Sequence, residues 1–134
     1  MRELGVGVGV GTTDVATALR FVDHVDVVMI AGRWTLADRS GEGLLDTCAV
    51  RGVRVLAAAP FNSGLLASAN ALYDYREPTG EALAHVAALR ELHGDDLLGA
   101  ALRFPLSHPA VSHVVAGMSS AEEVAANLRA FGTS

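Results

Sequence analysis

Lysine is absent from this sequence: all ten basic residues are arginines, and the net charge is -5. No basic stripe is present to attract phosphate backbones, so we expect no nucleic-acid partner. Cys48 is the single cysteine, which excludes an internal disulfide and a thiolate zinc site, and its expected place is the buried side of a helix. The five histidines share no metal-ligand spacing, so the sequence predicts no metal centre.

Long apolar runs and targeting segments are also lacking. No apolar run reaches the about 20 residues that a membrane span needs, and no basic stretch precedes an apolar signal core at the N-terminus. Aromatic residues make up only 5% of the chain, whereas 51% of it is hydrophobic. This composition is typical of layered helices and strands. The lack of a membrane span and of a signal core predicts a cytoplasmic protein with no membrane partner.

Strand and helix patterns alternate along the chain. The predicted strands are residues 4–10, 25–31, 53–59 and 111–117. The helical segments that follow them are TTDVATALRFV, GLLDTCAV, EALAHVAALRELH with DDLLGAALRF, and SSAEEVAANLRAF. Because parallel strands need crossover connections, this order predicts an α/β fold with a parallel sheet in one domain, residues 1–134. A complete eight-unit barrel takes about 250 residues, so we expect half of such a barrel or a small open sheet.

Polar residues, glycine and proline mark the expected helix ends. Asp14 or one of the two threonines before it caps the first helix, and Gly52 closes the second. Asp95 or Asp96 is predicted to cap the helix DDLLGAALRF, which Pro105 stops. Serine is the expected cap of the last helix, which has acidic residues in its first turn.

The stretch PFNSGLL, residues 60–66, follows the small apolar strand VRVLAAA. Proline, asparagine and glycine supply turn geometry, so the stretch taken alone fits a strand-to-loop turn. The alternative is a loop whose backbone cradles an anion. The earlier GVGVGVG run lacks the GxGxxG spacing of a nucleotide-binding turn, and glycines on a strand more readily allow a close approach of ligand or backbone.

Four segments carry a family resemblance in the same order along the chain: VGVGTTD, RWTLADRS, PFNSGLLA and LRFPLSHPAVSHVVAGMSSAEEVAANLRAF. Together they resemble the C-terminal half of the aldo/keto reductase family, a group of TIM-barrel oxidoreductases. PFNSGLL and YDY are most similar to members of the fucose or aldose dehydrogenase kind. The resemblance implies a parallel (βα)4 half of a TIM barrel that corresponds to strands five to eight of that family.

The resemblance also implies a cofactor site. PFNSGLL would follow the seventh strand, and TIM barrels commonly bind phosphate in the loops after strands seven and eight. The loop backbone would line the cofactor pyrophosphate, the start of the last helix would face the adenosine phosphate, and Asn127 would contact the adenine. The implied cofactor-binding residues are Phe61, Asn62, Ser63, Gly64, Leu65, Ser119, Ser120 and Asn127.

Several positions depart from the family pattern. Ala58 and Ala59 stand where the family usually stacks an aromatic residue on the nicotinamide, and Gly11 and Thr12 stand where a Ser-Asn pair often holds the carboxamide. Glu123 replaces a basic residue that often meets the 2′-phosphate of NADP. NAD and NADP are thus the implied cofactors, with NAD favoured because an acidic group repels that phosphate.

Three aromatic residues are candidate substrate contacts. Trp34 lies in the loop after the second strand, at the active-site end of the implied barrel. Tyr73 and Tyr75 flank an acid in the long loop after PFNSGLL and could bind a sugar by stacking and hydrogen bonding. The alternative is that this long loop only packs over the core. Arg33 and Asp38, on either side of Trp34, are expected to anchor their loop rather than to contact substrate.

The family's catalytic Asp, Tyr, Lys and His lie in its first four units, which this chain does not match. In that tetrad the lysine charge lowers the pKa of the proton-donating tyrosine, and this sequence offers no lysine. The implied function is an NAD(P)-binding half that is inactive alone or part of a split enzyme, with catalytic residues unknown. The alternatives are a half barrel repurposed as a small-metabolite binding module or non-redox enzyme, and a fragment that folds without activity.

A half barrel leaves two open sheet edges and one exposed apolar face. The sequence therefore predicts a partner for this chain. The two arrangements that would cover the edges are a homodimer and an assembly with a separate N-terminal half-barrel chain.

Overall fold

The computed structural model describes residues 2–62 and 79–132. Within them, four strands form one parallel sheet in the order β1-β2-β3-β4. These strands are β1 (Gly9–Thr12), β2 (Val27–Ala31), β3 (Arg54–Ala58) and β4 (Val111–Val115). The helices are α1 (Val15–Phe21), α2 (Glu42–Arg51), α3 (Gly80–His93), α4 (Leu97–Arg103) and α5 (Ala121–Gly132). The predicted parallel α/β arrangement is confirmed.

The two faces of the sheet differ in burial. Val10, Val28 and Val55 lie in register on neighbouring strands and belong to a core that packs against α1 and α2. On the opposite face, Met29 pairs in register with Leu56, and both are only half-buried. In a closed barrel this second face is the packed interior. In the described residues, helices cover the outer face of the sheet, whereas the side chains of the inner face remain partly exposed.

The core has two parts. The first, between the sheet and the helices α1 and α2, includes the fully buried Cys48, and burial raises the pKa of its thiol. The second lies between the sheet end and the helices α3 and α4. Its buried members are Leu36, Phe61, Val86, Leu97, Ala101 and Leu102. Phe104 packs against both parts and joins them.

Most predicted helix ends are confirmed. Asp14 is the N-cap of α1, where its carboxylate accepts a hydrogen bond from the backbone N–H of Thr17 at 3.0 Å. Gly52 ends α2 in the left-handed conformation, with φ 71°, which glycine adopts without steric cost. Ser120 Oγ accepts a hydrogen bond from the Glu123 backbone N–H at 3.1 Å at the start of α5.

The start of α4 is confirmed in position only. Asp96 stands at the N-cap position, but its side chain makes no capping hydrogen bond. Its carboxylate instead accepts a hydrogen bond from Arg103 Nη2 at 2.5 Å. The α-helix α4 ends at Arg103, before Pro105, but helical structure continues. Pro105 occupies the first turn of a 3-10 helix, Phe104–Ser107, where its missing N–H costs nothing.

The first strand is shorter and later than predicted. The run at residues 4–10 does not form one strand: Arg2–Leu4 is a 3-10 turn, and β1 starts only at Gly9. Gly5 has φ 71°, a conformation that interrupts an extended chain. Apolar glycine-rich sequence fits an extended strand locally, but only the residues aligned with β2 gain ladder hydrogen bonds.

Among the described residues, no helix has the length and apolar character for crossing a membrane.

Candidate functional site

Three loops meet at the carboxyl end of the sheet, which is where parallel α/β folds bind their ligands. They are residues 32–41 after β2, the turn 59–62 after β3 and residues 116–120 after β4. Backbone hydrogen bonds continue the ladder into them: Gly32 N–H donates to Ala58 O at 3.0 Å, and Ala59 N–H donates to Val115 O at 3.1 Å. The loop bases are therefore fixed relative to one another.

The turn after β3 has an unusual backbone. Ala59 and Asn62 have φ values of 53° and 48°, in the left-handed region that non-glycine residues seldom occupy. The Asn62 N–H closes the turn on Ala59 O at 3.2 Å. Phe61 and Asn62 are only 9% and 3% exposed, so packing holds this conformation in place. Such strained turns concentrate where a backbone is shaped for a ligand.

The Asn62 side chain connects this turn to the loop after β2. Its Oδ1 accepts a hydrogen bond from Thr35 Oγ1 at 2.6 Å, and its Nδ2 donates to Gly32 O at 3.4 Å. Thr35 has no exposed surface. The Asn62 carboxamide is engaged within the protein, the N–H groups of Ala59 and Asn62 donate to Val115 O and Ala59 O, and Pro60 has no N–H. The backbone donor that this turn can offer to a ligand is therefore the N–H of Phe61.

The loop after β2 is anchored by its own polar groups. Thr35 N–H donates to Asp38 O at 2.7 Å, and Gly41 N–H donates to Arg33 O at 2.6 Å. The Asp38 carboxylate accepts hydrogen bonds from the Ser40 backbone and hydroxyl and lies 3.8 Å from the Arg33 guanidinium. These contacts give Arg33 and Asp38 the anchoring role that the sequence favoured for them.

Trp34 lies in the core rather than on a ligand-facing surface. It is 6% exposed, and its indole N–H donates to Pro105 O at 3.2 Å. Its ring stacks at a tilt against Phe104, with centroids 5.0 Å apart, and meets His108 edge-on. The ring thus packs in the core beside Phe104, and the predicted substrate contact of Trp34 stays a prediction. Tyr73 and Tyr75 lie outside the described residues.

At the end of β4, Ser119 and Ser120 precede α5. Glu123 reaches back from the first turn, and its carboxylate accepts hydrogen bonds from the Ser119 backbone N–H at 2.6 Å and hydroxyl at 3.1 Å. These hydrogen bonds hold the pKa of Glu123 below its usual range. The helix N-terminus therefore carries a fixed negative charge beside the two serines, where a helix dipole would otherwise favour an anion.

Asn127 lies further along α5 and is half-buried. It lines a cavity of about 350 Å³ between α5 and the outer edge of β4. The cavity's other lining residues include Leu106, Val114, Met118 and Val124, so the amide sits in apolar surroundings. An amide in an apolar cleft can provide the directional hydrogen bonds that select one flat ring.

The predicted cofactor residues are thus grouped in part. Phe61 and Asn62 lie in the turn after β3, the two serines lie at the start of α5, and Asn127 lies on that helix. Ser63, Gly64 and Leu65 fall outside the described residues. Among residues 2–62 and 79–132, no group of His, Cys, Asp and Glu side chains has a geometry for holding a metal ion.

Sequence reasoning missed Thr35 and Gly32, which hold Asn62 from the neighbouring loop. The available signal was a small polar residue placed shortly after a buried parallel strand, inside the segment RWTLADRS. Such a position predicts a buried side chain at the ligand-binding end of the sheet.

Comparison with known proteins identifies the class of protein to which this fold and site belong. Residues 6–133 match the model of the Aldo/keto reductase family, so the chain belongs to that family. The chain is 34% identical over 131 residues to a D-threo-aldose 1-dehydrogenase of Pseudomonas sp, covering 91% of this chain and 40% of that protein. It is 33% identical over 131 residues to a pyridoxal 4-dehydrogenase of Microbacterium luteolum, covering 92% of this chain and 38% of that protein.

Solved structures give the same result for the fold. The aldo-keto reductase AKR11C1 from Bacillus halodurans in its holo form superimposes with a TM-score of 0.72 at 25% identity, covering 94% of this chain and 44% of that one. Its apo form gives a TM-score of 0.70, also at 25% identity, covering 92% of this chain and 44% of that one. The chain therefore spans less than half the length of these relatives, and the predicted half-barrel fold of the aldo/keto reductase kind is confirmed.

Proposed function

We propose that this chain is the dinucleotide-binding half of an aldo/keto reductase-type oxidoreductase and that NAD is its preferred cofactor. The observation that carries the proposal is the left-handed turn 59–62, locked at the carboxyl end of β3 by the buried Thr35–Asn62 hydrogen bond. A turn held this firmly, with the Asn62 side chain directed inward, can offer the Phe61 N–H to a phosphate without reorganising.

The residues around the turn fit the dinucleotide in their chemistry. The backbone N–H of Phe61 would meet the pyrophosphate, with Asn62 holding the shape of the turn. Ser119 and Ser120 would lie towards the adenosine ribose, and the Asn127 amide would hydrogen-bond the adenine. When bound, the nicotinamide would accept or supply the hydride. This chain's own contribution is to bind and orient the cofactor, since none of its described side chains is assigned a proton-transfer role.

The choice of NAD over NADP depends on Glu123. Hydrogen bonds from Ser119 lower the pKa of its carboxyl group, so it is ionised at neutral pH. A carboxylate fixed at the start of α5 repels the 2′-phosphate of NADP and can accept a hydrogen bond from the 2′-hydroxyl of NAD.

The substrate class follows from the relatives' names. One is a dehydrogenase of an aldose at carbon 1 and the other a dehydrogenase of pyridoxal, so we propose a small aldehyde or its hemiacetal as substrate. The aldehyde would react as its hemiacetal: hydride would pass from the hemiacetal carbon to NAD, the proton of the hydroxyl on that carbon would pass to a base, and the product would be the ester or lactone. That base and the rest of the tetrad would come from a separate N-terminal half-barrel chain in a cytoplasmic complex, a location compatible with the buried free thiol of Cys48.

Isothermal calorimetry of the purified chain with NAD and with NADP tests the proposal. We expect saturable binding of NAD and weaker binding of NADP. Absence of heat with either nucleotide would favour the alternative of a half barrel that serves as a small-metabolite binding module or non-redox enzyme. Oxidation of aldoses by the isolated chain with NAD would contradict the assignment of the tetrad to another chain.

A further inference from the structure

Thr35 is a buried hydroxyl with all of its hydrogen-bonding capacity in use. Its Oγ1 donates to Asn62 Oδ1 at 2.6 Å and accepts from the backbone N–H groups of Ala37 at 3.2 Å and Asp38 at 3.0 Å. A hydroxyl has one donor and two acceptor positions, so these three bonds fill it. Thr35 therefore fixes its own loop and the Asn62 side chain at the same time.

Asn62 transmits this constraint to the turn. Its backbone is left-handed, its N–H closes the turn on Ala59, and its carboxamide is held between Thr35 and Gly32 O. Asparagine is among the few non-glycine residues that tolerate this backbone conformation. The link crosses from the loop after β2 to the loop after β3, over 27 residues of sequence.

We infer that Thr35 is a positioning residue for dinucleotide binding, acting through Asn62 to hold the turn 59–62 in the conformation that meets the cofactor pyrophosphate. This inference rests on the proposed function for the nucleotide itself. The link between the two loops, which we call the Thr35–Asn62 link, rests on the hydrogen bonds alone. An experiment can therefore test this link and nucleotide binding separately.

The first test replaces the hydroxyl without changing the shape of the side chain. Thr35→Val keeps the volume but leaves Asn62 Oδ1 without its donor, whereas Thr35→Ser keeps the donor. In calorimetry with NAD, measured well below the lowest Tm of the set, we expect Thr35→Val to raise Kd about tenfold, the effect of losing roughly one hydrogen bond. Thr35→Ser should return Kd to near the wild-type value.

A second variant removes the other partner while preserving the backbone. Asn62→Gly deletes the carboxamide, and glycine adopts the left-handed conformation freely, so the fold is retained. We expect a similar rise in Kd for NAD. The double variant Thr35→Val/Asn62→Gly should raise Kd by less than the sum of the two single effects on the free energy of binding, because the Thr35–Asn62 hydrogen bond is lost in both.

Amide hydrogen exchange tests the Thr35–Asn62 link in the absence of nucleotide. In Thr35→Val, the Asn62 amide, which donates to Ala59 O, should exchange about tenfold faster, and Thr35→Ser should reverse this change. Thr47→Val is the matched control. It removes a threonine hydroxyl that donates to Gly43 O at 2.9 Å within α2, outside the loop 32–41, and should change neither Kd nor Asn62 exchange.

The outcomes separate the two proposals. If the wild-type chain binds NAD and both single variants leave Kd unchanged, the positioning role is overturned even if their Tm falls. If the wild-type chain binds neither NAD nor NADP, the proposed function fails. The exchange rate of the Asn62 amide then still tests the Thr35–Asn62 link. An unchanged rate in Thr35→Val overturns the link, and a faster rate that Thr35→Ser reverses supports it.

Discussion

Glu123 shows how one side chain can set the electrostatics of a helix start. Its carboxylate occupies the space beside Ser119 that an incoming phosphate would share, and the hydrogen bonds it receives there lower its pKa.

At the same scale, Gly99 shows how one missing side chain permits close helix packing. A Cβ at Gly99 would lie 2.6 Å from Ala130 O, where α4 crosses α5.

Neutralising Glu123 should change cofactor preference. Glu123→Gln removes the charge that faces the 2′-phosphate, so we expect Kd for NADP to fall roughly fivefold to tenfold while Kd for NAD changes little. Glu122→Gln is the control, because it makes the same charge change in the same first turn without the contact to Ser119. Equal effects of the two variants on NADP binding would contradict a specific role for Glu123.

Filling the space at Gly99 should destabilise the fold. In Gly99→Ala the new methyl group would also lie 2.5 Å from Asp96 Oδ1 and 2.7 Å from Arg103 Nη1, so the α4–α5 contact must open. We expect a loss of roughly 1–3 kcal/mol in the free energy of unfolding, measured by urea denaturation.

Gly43→Ala provides the comparison for that experiment. Gly43 is also helical, but a Cβ there would meet nothing within 4 Å. Because alanine favours the helix over glycine, we expect this variant to gain up to about 1 kcal/mol. A gain of stability at both positions would show that helix propensity and not the α4–α5 contact governs the response.

The helix α1 begins where its local sequence dictates. Asp14 accepts hydrogen bonds from both the Thr17 backbone and its hydroxyl. These bonds lower the pKa of Asp14, the side-chain bond contributing most. The cap is therefore strongest when the carboxyl group is ionised.

Acid should weaken the α1 cap. Because the folded-state pKa of Asp14 lies below its ordinary value of 3.8, the stability that it contributes is fully present above that value and is lost as pH falls through the lowered pKa. The neutral cap Asp14→Asn lacks this dependence. We expect wild type to have the higher urea midpoint at pH 7 and the difference to shrink as pH falls below about 4. A difference that stays constant with pH would contradict the ionised cap.

At the scale of the whole molecule, the sheet ends in two open edges. Among the described residues, β1 pairs only with β2, and β4 pairs only with β3. Exposed apolar side chains flank each edge: Val6 and Leu19 lie near β1, and Leu128 and Phe131 lie on α5 beside β4. Because all four strands are parallel, a two-fold pair can place β4 of one copy beside β1 of the other and close eight strands.

The isolated chain should therefore form a homodimer when no N-terminal half-barrel chain is present. Light scattering at micromolar concentration should give twice the chain mass. Leu128→Lys places a charge on the α5 face and should shift the equilibrium towards monomer, whereas Val50→Lys, at an exposed position on α2, should leave the dimer intact. A wild-type chain that stays monomeric at this concentration would contradict the prediction.

The sequence by itself determined the alternating elements, most of their ends and the family. Apolar periodicity, the cap Asp14 and the closing Gly52 act within a few residues, so local physics is enough to predict them. The motif PFNSGLL likewise indicated where the candidate site lies, because its position after a strand is a property of the chain order.

Only the tertiary structure decided which side chains of the loops after the strands are buried. Trp34 turned into the core because its ring fills the space beside Phe104 and its indole N–H finds Pro105 O, 71 residues away. Thr35 became part of the site because folding brings it to Asn62. Side-chain direction in a loop depends on packing between residues distant in sequence, and a single sequence carries no local signal for such contacts.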